Sequence, residues 1–166
     1  MEKIFISGCL MGQKVRYHGG DELCDSPIIK QWQMEGRIIS ICPEVSAGLP
    51  VPRPSSEIVG GTGEDVLKGN ARVITRTGID RTAAFTTGAN NALAITQMHH
   101  IKMAILKKNS PSCGNTTVYD GHYRGQLIDG SGVTATILKM NGVRVFNESE
   151  LNEAVQFLES LENTAR

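Results

Sequence analysis

Hydrophobic and polar positions alternate between short apolar runs and longer stretches with helical spacing. Lys3 to Ile6 is an apolar, β-branched run halted by Ser7-Gly8, which predicts a buried strand followed by a loop. Asp25-Ser26-Pro27 supplies a cap and a first-turn proline, so a helix is expected through Glu35, ended by Gly36. Ile38 to Cys42 predicts a second strand, closed by Pro43. Residues 43–64 are rich in proline and glycine and are expected to form a long loop, of the kind that often carries function. Ala71 to Thr75 predicts another strand. Asp80 can cap a helix running to about His99, with Phe85, Ala89, Ala92 and Ile95 on one face and small residues suited to close packing on a sheet. Met103 to Leu106 reads as a short strand entering the polar loop Lys107 to Asn115, and Tyr123 falls in a hairpin-like or irregular segment. Ser131 to Met140 predicts a helix ended by Gly142, and Val143 to Phe146 a last strand. Asn147 and Glu150 then form a capping box for a terminal helix whose stripe is Leu151, Ala154, Val155, Leu158 and Leu161.

This order predicts an α/β fold: a single-domain open, mostly parallel sheet with helices on both faces, Rossmann-like and three-layered, spanning residues 1–166. A chain of 166 residues is long enough to bury its own core without staples. Seventeen Lys and Arg balance seventeen Asp and Glu, so no electrostatic drive toward nucleic acid or anionic lipid is present. No apolar run approaches the roughly 18 residues of a membrane helix. The Met1–Gly8 segment has an acidic second residue and does not read as a secretory signal, so a cytoplasmic location is expected.

In such a sheet, ligands bind in the crevice beyond the carboxyl ends of the strands. Cys9 follows the first strand, Cys42 ends the second, and Cys113 lies in the loop after Met103–Leu106, so three of the four cysteines map to one rim. Any one of them could simply be a small buried hydrophobe. Together they suit a soft metal or an iron–sulfur cluster, and three thiolates leave one coordination position open for Lewis-acid chemistry. Zinc is the competing occupant, since catalytic zinc also keeps three protein ligands. Cys24 sits in a polar turn and reads as structural or incidental. Glu44, two residues from Cys42, is a candidate general acid–base group, and Ser110 and Ser112 could position substrate or water beside Cys113. Arg16, Arg53 and Lys107 are rim cations that could orient a polar ligand. Gly60 to Asp65 lacks the ending of a phosphate-binding loop and is expected to be a loop only. His99-His100 suits a helix C-terminus, and Gly130 to Thr134 could face an anion or serve only as turn and cap.

Several separate motifs in order resemble the thiouracil desulfidase (TudS-like) family. They are Cys9-Leu10-Met11-Gly12 with Arg16-Tyr17-His18-Gly19, Cys42-Pro43-Glu44-Val45 leading to Gly48-Leu49-Pro50-Val51-Pro52-Arg53, Ser110-Pro111-Ser112-Cys113-Gly114, Tyr119-Asp120-Gly121 and Gly130 to Ala135. The resemblance runs from about residue 4 to 148, with Val15 and His18 standing where the family often has Cys and Asp. It implies a [4Fe-4S] cluster on Cys9, Cys42 and Cys113, an open iron that takes the sulfur of a thiocarbonyl, Glu44 as the carboxylate that moves protons, and Ser110, ahead of Ser112, as the positioning hydroxyl. The implied substrate is a small thiolated base or nucleoside, turned into its oxo form and hydrosulfide. A sulfide-carrying module on the same cluster and a zinc hydrolase on the same cysteines are the alternatives, and the oligomeric state is left open.

Overall fold

The structure, a computed structural model, describes residues 1–164. In chain order its elements are β1 (Ile4–Ser7), α1 (Pro27–Met34), β2 (Ile38–Ile41), α2 (Pro43–Ser46), β3 (Ser56–Val59), α3 (Gly63–Leu67), β4 (Arg72–Thr75) and α4 (Thr82–Met98). They continue with β5 (Met103–Leu106), β6 (Thr117–Tyr119), β7 (Leu127–Asp129), α5 (Val133–Met140), β8 (Arg144–Asn147) and α6 (Leu151–Thr164).

Local chemistry fixes the helix ends. Ser26 Oγ accepts the Ile28 N–H at 3.2 Å ahead of Pro27, and Gly36 leaves α1 with a φ of 71°. Asp80 Oδ1 accepts the Thr82 N–H at 2.8 Å to start α4. At α6 the box is reciprocal: Asn147 Oδ1 accepts the Ser149 N–H at 2.8 Å while the Glu150 carboxylate accepts the Asn147 N–H at 3.0 Å.

The main sheet is wholly parallel, in the order β2-β1-β5-β8. Its central strands β1 and β5 are buried on both faces, as continuous apolar runs require. Ile4, Ile6, Met103 and Ile105 meet Ile29 and Trp32 of α1 and Ala154 and Leu158 of α6. Phe5, Ala104 and Leu106 meet Ala92 of α4 and Ala135 and Leu138 of α5 on the other face. The chain winds one way from β1 to β2 and the other way from β5 to β8. The direction therefore reverses between β1 and β5, and that reversal opens a crevice at their carboxyl ends.

Three expectations are corrected. The strand Arg72–Thr75 does not join the parallel sheet; it pairs antiparallel with β3, from Ser56 opposite Thr75 to Val59 opposite Arg72. Residues 43–64 are not one loop, since they contain α2, β3 and the start of α3. Gly60 to Asp65 is not a loop only: Asp65 Oδ2 accepts the Thr62 N–H at 2.8 Å and α3 begins at Gly63. These elements are four or five residues long, too short to register as periodicity. A third cluster of Leu49, Ile58, Val66, Val73, Phe85 and Val133 holds them on α4 and α5. The hairpin-like reading around Tyr123 is realised as the β6–β7 pair with Tyr123 in its connection. Among the described residues no helix is long and apolar enough to cross a membrane.

Candidate functional site

Each of three cysteines sits just beyond the carboxyl end of a parallel strand. Cys9 lies in the 3-10 turn Gly8–Met11 after β1, Cys42 is the N-cap of α2 after β2, and Cys113 sits in a turn after β5 that is closed by the Gly114 N–H on the Ser110 carbonyl at 2.8 Å. All three are free thiols and border one cavity of about 470 Å3. That cavity occupies the crevice where the winding reverses.

The turn that carries Cys113 is held from two sides. Ser110 Oγ accepts the N–H of Ser112 at 3.2 Å and of Cys113 at 3.1 Å. The first amides of α5 supply the rest: Val133 donates to the Pro111 carbonyl at 2.9 Å, and Thr134 donates to that of Ser112 at 2.8 Å. Gly130 to Thr134 is therefore turn and cap: the Gly132, Val133 and Thr134 amides are engaged by the cysteine turn and the Gly130 amide by the Thr116 carbonyl. A Cβ on Gly132 would lie 2.6 Å from the Pro111 carbonyl oxygen, so only glycine allows this approach. On α4, a Cβ on Gly88 would collide with the Pro43 carbonyl oxygen, which is how that helix comes to lie against α2 and Cys42.

Burial pushes all three thiols up and holds Cys113, the deepest, well above the ordinary range, with charge on Cys9, Cys42 or Glu44 adding to that rise. Arg16 and Lys107 draw Cys9 partly back, and the Val45 amide and Arg53 do so for Cys42. Such a cluster rests as neutral thiols and releases protons when metal replaces them. Among the described residues no three His, Cys, Asp or Glu side chains converge as the ligands of a single ion do.

Glu44, Arg16, Arg53, Lys107 and Ser110 all line the cavity, as the sequence predicts, yet their roles separate. Arg53 is turned to Glu44: its Nη2 and Nε donate to Glu44 Oε1 at 3.1 and 3.3 Å, and it also ties the Val15 carbonyl at 3.0 Å. This pair is largely buried, and Glu44 Oε2 has no hydrogen-bond partner among the described residues. Lys107 is likewise engaged, 2.6 Å from Glu148. Of these three cations Arg16 is the loosely held one, with Glu22 at 4.0 Å and a buried Nε without a hydrogen bond among the described residues. Ser112 does not border the cavity; its hydroxyl shares a hydrogen bond of 2.8 Å with Thr134. Cys24 packs on the α1 side of the core, outside the cavity. His18 turns away to accept the Gly20 N–H at 3.0 Å, and His99 and His100 are exposed at the end of α4.

Sequence reasoning missed the far wall. Ser55, Ser56 and Glu57 around β3, Arg76 after β4, and Tyr119 and Tyr123 of the β6–β7 hairpin close the cavity opposite the cysteines. The available signal was Glu57, a carboxylate leading an otherwise apolar run with Ile58 and Val59.

A model of the 2-thiouracil desulfurase family matches residues 4–150. The chain belongs to the 2-thiouracil desulfurase family. Its YbbK relative from Bacillus subtilis (strain 168), described as uncharacterized, is 43% identical over 150 residues, covering 90% of this chain and 98% of that protein. The solved structure of the [4Fe-4S]-dependent thiouracil desulfidase TudS superposes with a TM-score of 0.87 at 40% identity, covering 96% of this chain and 99% of that one. The desulfurase-family match contains all three cysteine turns, Glu44 and the far wall of the cavity, and ends where α6 begins.

Proposed function

We propose that this chain desulfurates a small thiolated pyrimidine, as free base or nucleoside, using a [4Fe-4S] cluster held by Cys9, Cys42 and Cys113. The observation that carries the reading is the arrival of three free thiols from three separate strand ends at one cavity, inside a segment that matches the desulfurase family. The donor set suits the group. Three free thiols brought from separate strand ends to one cavity are the soft donors that would hold an iron–sulfur cluster. When bound, the cluster supplies a Lewis-acidic iron with affinity for the thiocarbonyl sulfur.

The chain's own groups supply the rest. The overall change is a thiocarbonyl plus water giving a carbonyl, hydrosulfide and a proton, with no oxidant or reductant. Glu44, gripped through Oε1 by Arg53, keeps Oε2 free to take a proton from the water as it adds to carbon and to return one as the carbon–sulfur bond breaks. Ser110 accepts two amides through its oxygen, so its own proton is left to donate toward the substrate. Arg16 is a cation with donor capacity to spare for an anionic or polar substituent.

The test is sulfide and uracil release from 2-thiouracil by anaerobically reconstituted protein. Many equivalents of each per chain are expected. Release of a single equivalent without turnover would establish the sulfide-carrying module instead, and turnover that tracks zinc content and not iron would establish the hydrolase.

A further inference from the structure

We infer that Glu57 is a substrate-recognition residue whose free carboxylate oxygen accepts a ring N–H of the thiolated pyrimidine. The inference rests on the proposed desulfuration and names the group that selects its substrate.

Strand alternation sends Ile58 into the core beneath β3 and β4 and turns Glu57 to the cavity. The residue is only 8% exposed. Its Oε1 accepts the Gly121 N–H at 3.0 Å and the Tyr123 N–H at 3.2 Å, and among the described residues it forms no ion pair. Its Oε2 takes no hydrogen bond among these residues and is not sealed from solvent, and the residue lines the cavity. A buried carboxylate compensated on one oxygen alone is costly unless the other meets a donor. The described residues offer none, and a pyrimidine carrying a thiocarbonyl has a ring N–H beside the reacting carbon.

The acceptor is also rigid. The 120–126 connection that grips Oε1 is itself anchored by the Tyr123 hydroxyl, which reaches the carbonyls of Ser55 at 3.0 Å and Ile74 at 2.5 Å. Gly121 lies so close to β3 that a Cβ there would sit 2.5 Å from the Ile58 carbonyl oxygen. A fixed carboxylate accepts and never donates, so it selects rings bearing N–H and rejects those methylated at that nitrogen.

Glu57→Gln separates recognition from mere anchoring of the connection. Glutamine keeps a carbonyl oxygen for the two amides but replaces Oε2 with an NH2, so a donor would face a donor. Equilibrium titrations with 2-thiouracil and its N1-methyl and N3-methyl derivatives are made on the cluster-loaded protein, with sulfide release followed in the same samples. E57Q is expected to keep wild-type iron content and thermal midpoint while binding 2-thiouracil about tenfold more weakly or worse, the loss of one hydrogen bond to a charged group. One methyl derivative should bind wild type comparably weakly and gain nothing further from the substitution. Glu57→Ala, which also frees the connection, should lower the thermal midpoint as well. Wild-type affinity in E57Q, equal binding of all three compounds by wild type, or no binding of any of them would overturn the assignment. Binding that discriminates as expected without sulfide release would leave recognition standing and defeat the desulfuration reading instead.

Discussion

At the scale of single residues, the site pairs each reactive group with one that restrains it. Arg53 and Glu44 form a largely buried ion pair, and removing one partner of such a pair leaves an uncompensated charge. Arg53→Met is therefore expected to destabilise the fold by about 3–5 kcal/mol in denaturant melts, well beyond a surface arginine substitution. Glu44→Gln keeps the shape and much of that contact while removing the proton carrier. It should cut kcat by about 10²–10⁴ with iron content unchanged, as steady-state sulfide release beside iron analysis would register. Tyr123 carries a third expectation. Burial, with Glu57 adding to it, pushes its phenol up to about 12, so the folded state favours the neutral form. Relative to an unfolded value of about 10, that preference is fully present below pH 10 and is lost as pH rises toward 12. Alkaline thermal melts should lose stability more steeply in wild type than in Tyr123→Phe, and one phenol should titrate late in an absorbance titration.

At the scale of elements, what could be read from the sequence was what repeats or punctuates. Ser26-Pro27 and Gly36 bracket α1, Asp80 starts α4, and Asn147 with Glu150 starts α6, because caps are local chemistry that needs no tertiary partner. β4 was legible as a strand but its partner was not, and β3 lay hidden in the proline- and glycine-rich stretch: their antiparallel pairing is fixed by the core under Ile58 and Val73, which only the fold assembles. Glu57 was missed with β3, and so was Arg76. Close helix packing is the other element-scale feature that local pattern conceals. Gly88 looks like a helix weakness but is the point at which α4 meets the Pro43 backbone beside Cys42. Gly88→Ala should cost about 1–3 kcal/mol by forcing α4 off α2. It should also lower iron retained per chain, whereas an alanine at exposed Gln97 on the same helix should do neither.

At the scale of the molecule, the cysteines were legible as a set because the position of a parallel sheet's ligand crevice follows from its winding, and Cys9 and Cys113 flank the reversal between β1 and β5. The roles within the set were less legible. Arg53 and Lys107 look alike in sequence to Arg16, but the fold turns them onto Glu44 and Glu148. Binding a group between three strand ends ties separate parts of the sheet together, so loading iron should raise the thermal midpoint and chelation should reverse the gain. The most direct measurement is iron and sulfide content of anaerobically prepared protein, wild type beside Cys113→Ala, with 2-thiouracil turnover in the same samples. The account predicts close to four irons and four sulfides per chain in wild type, about the content of one [4Fe-4S] cluster, with both cluster and turnover lost in the variant. Wild-type protein that takes up no iron on reconstitution, or a Cys113→Ala variant that keeps full iron and turnover, would contradict it.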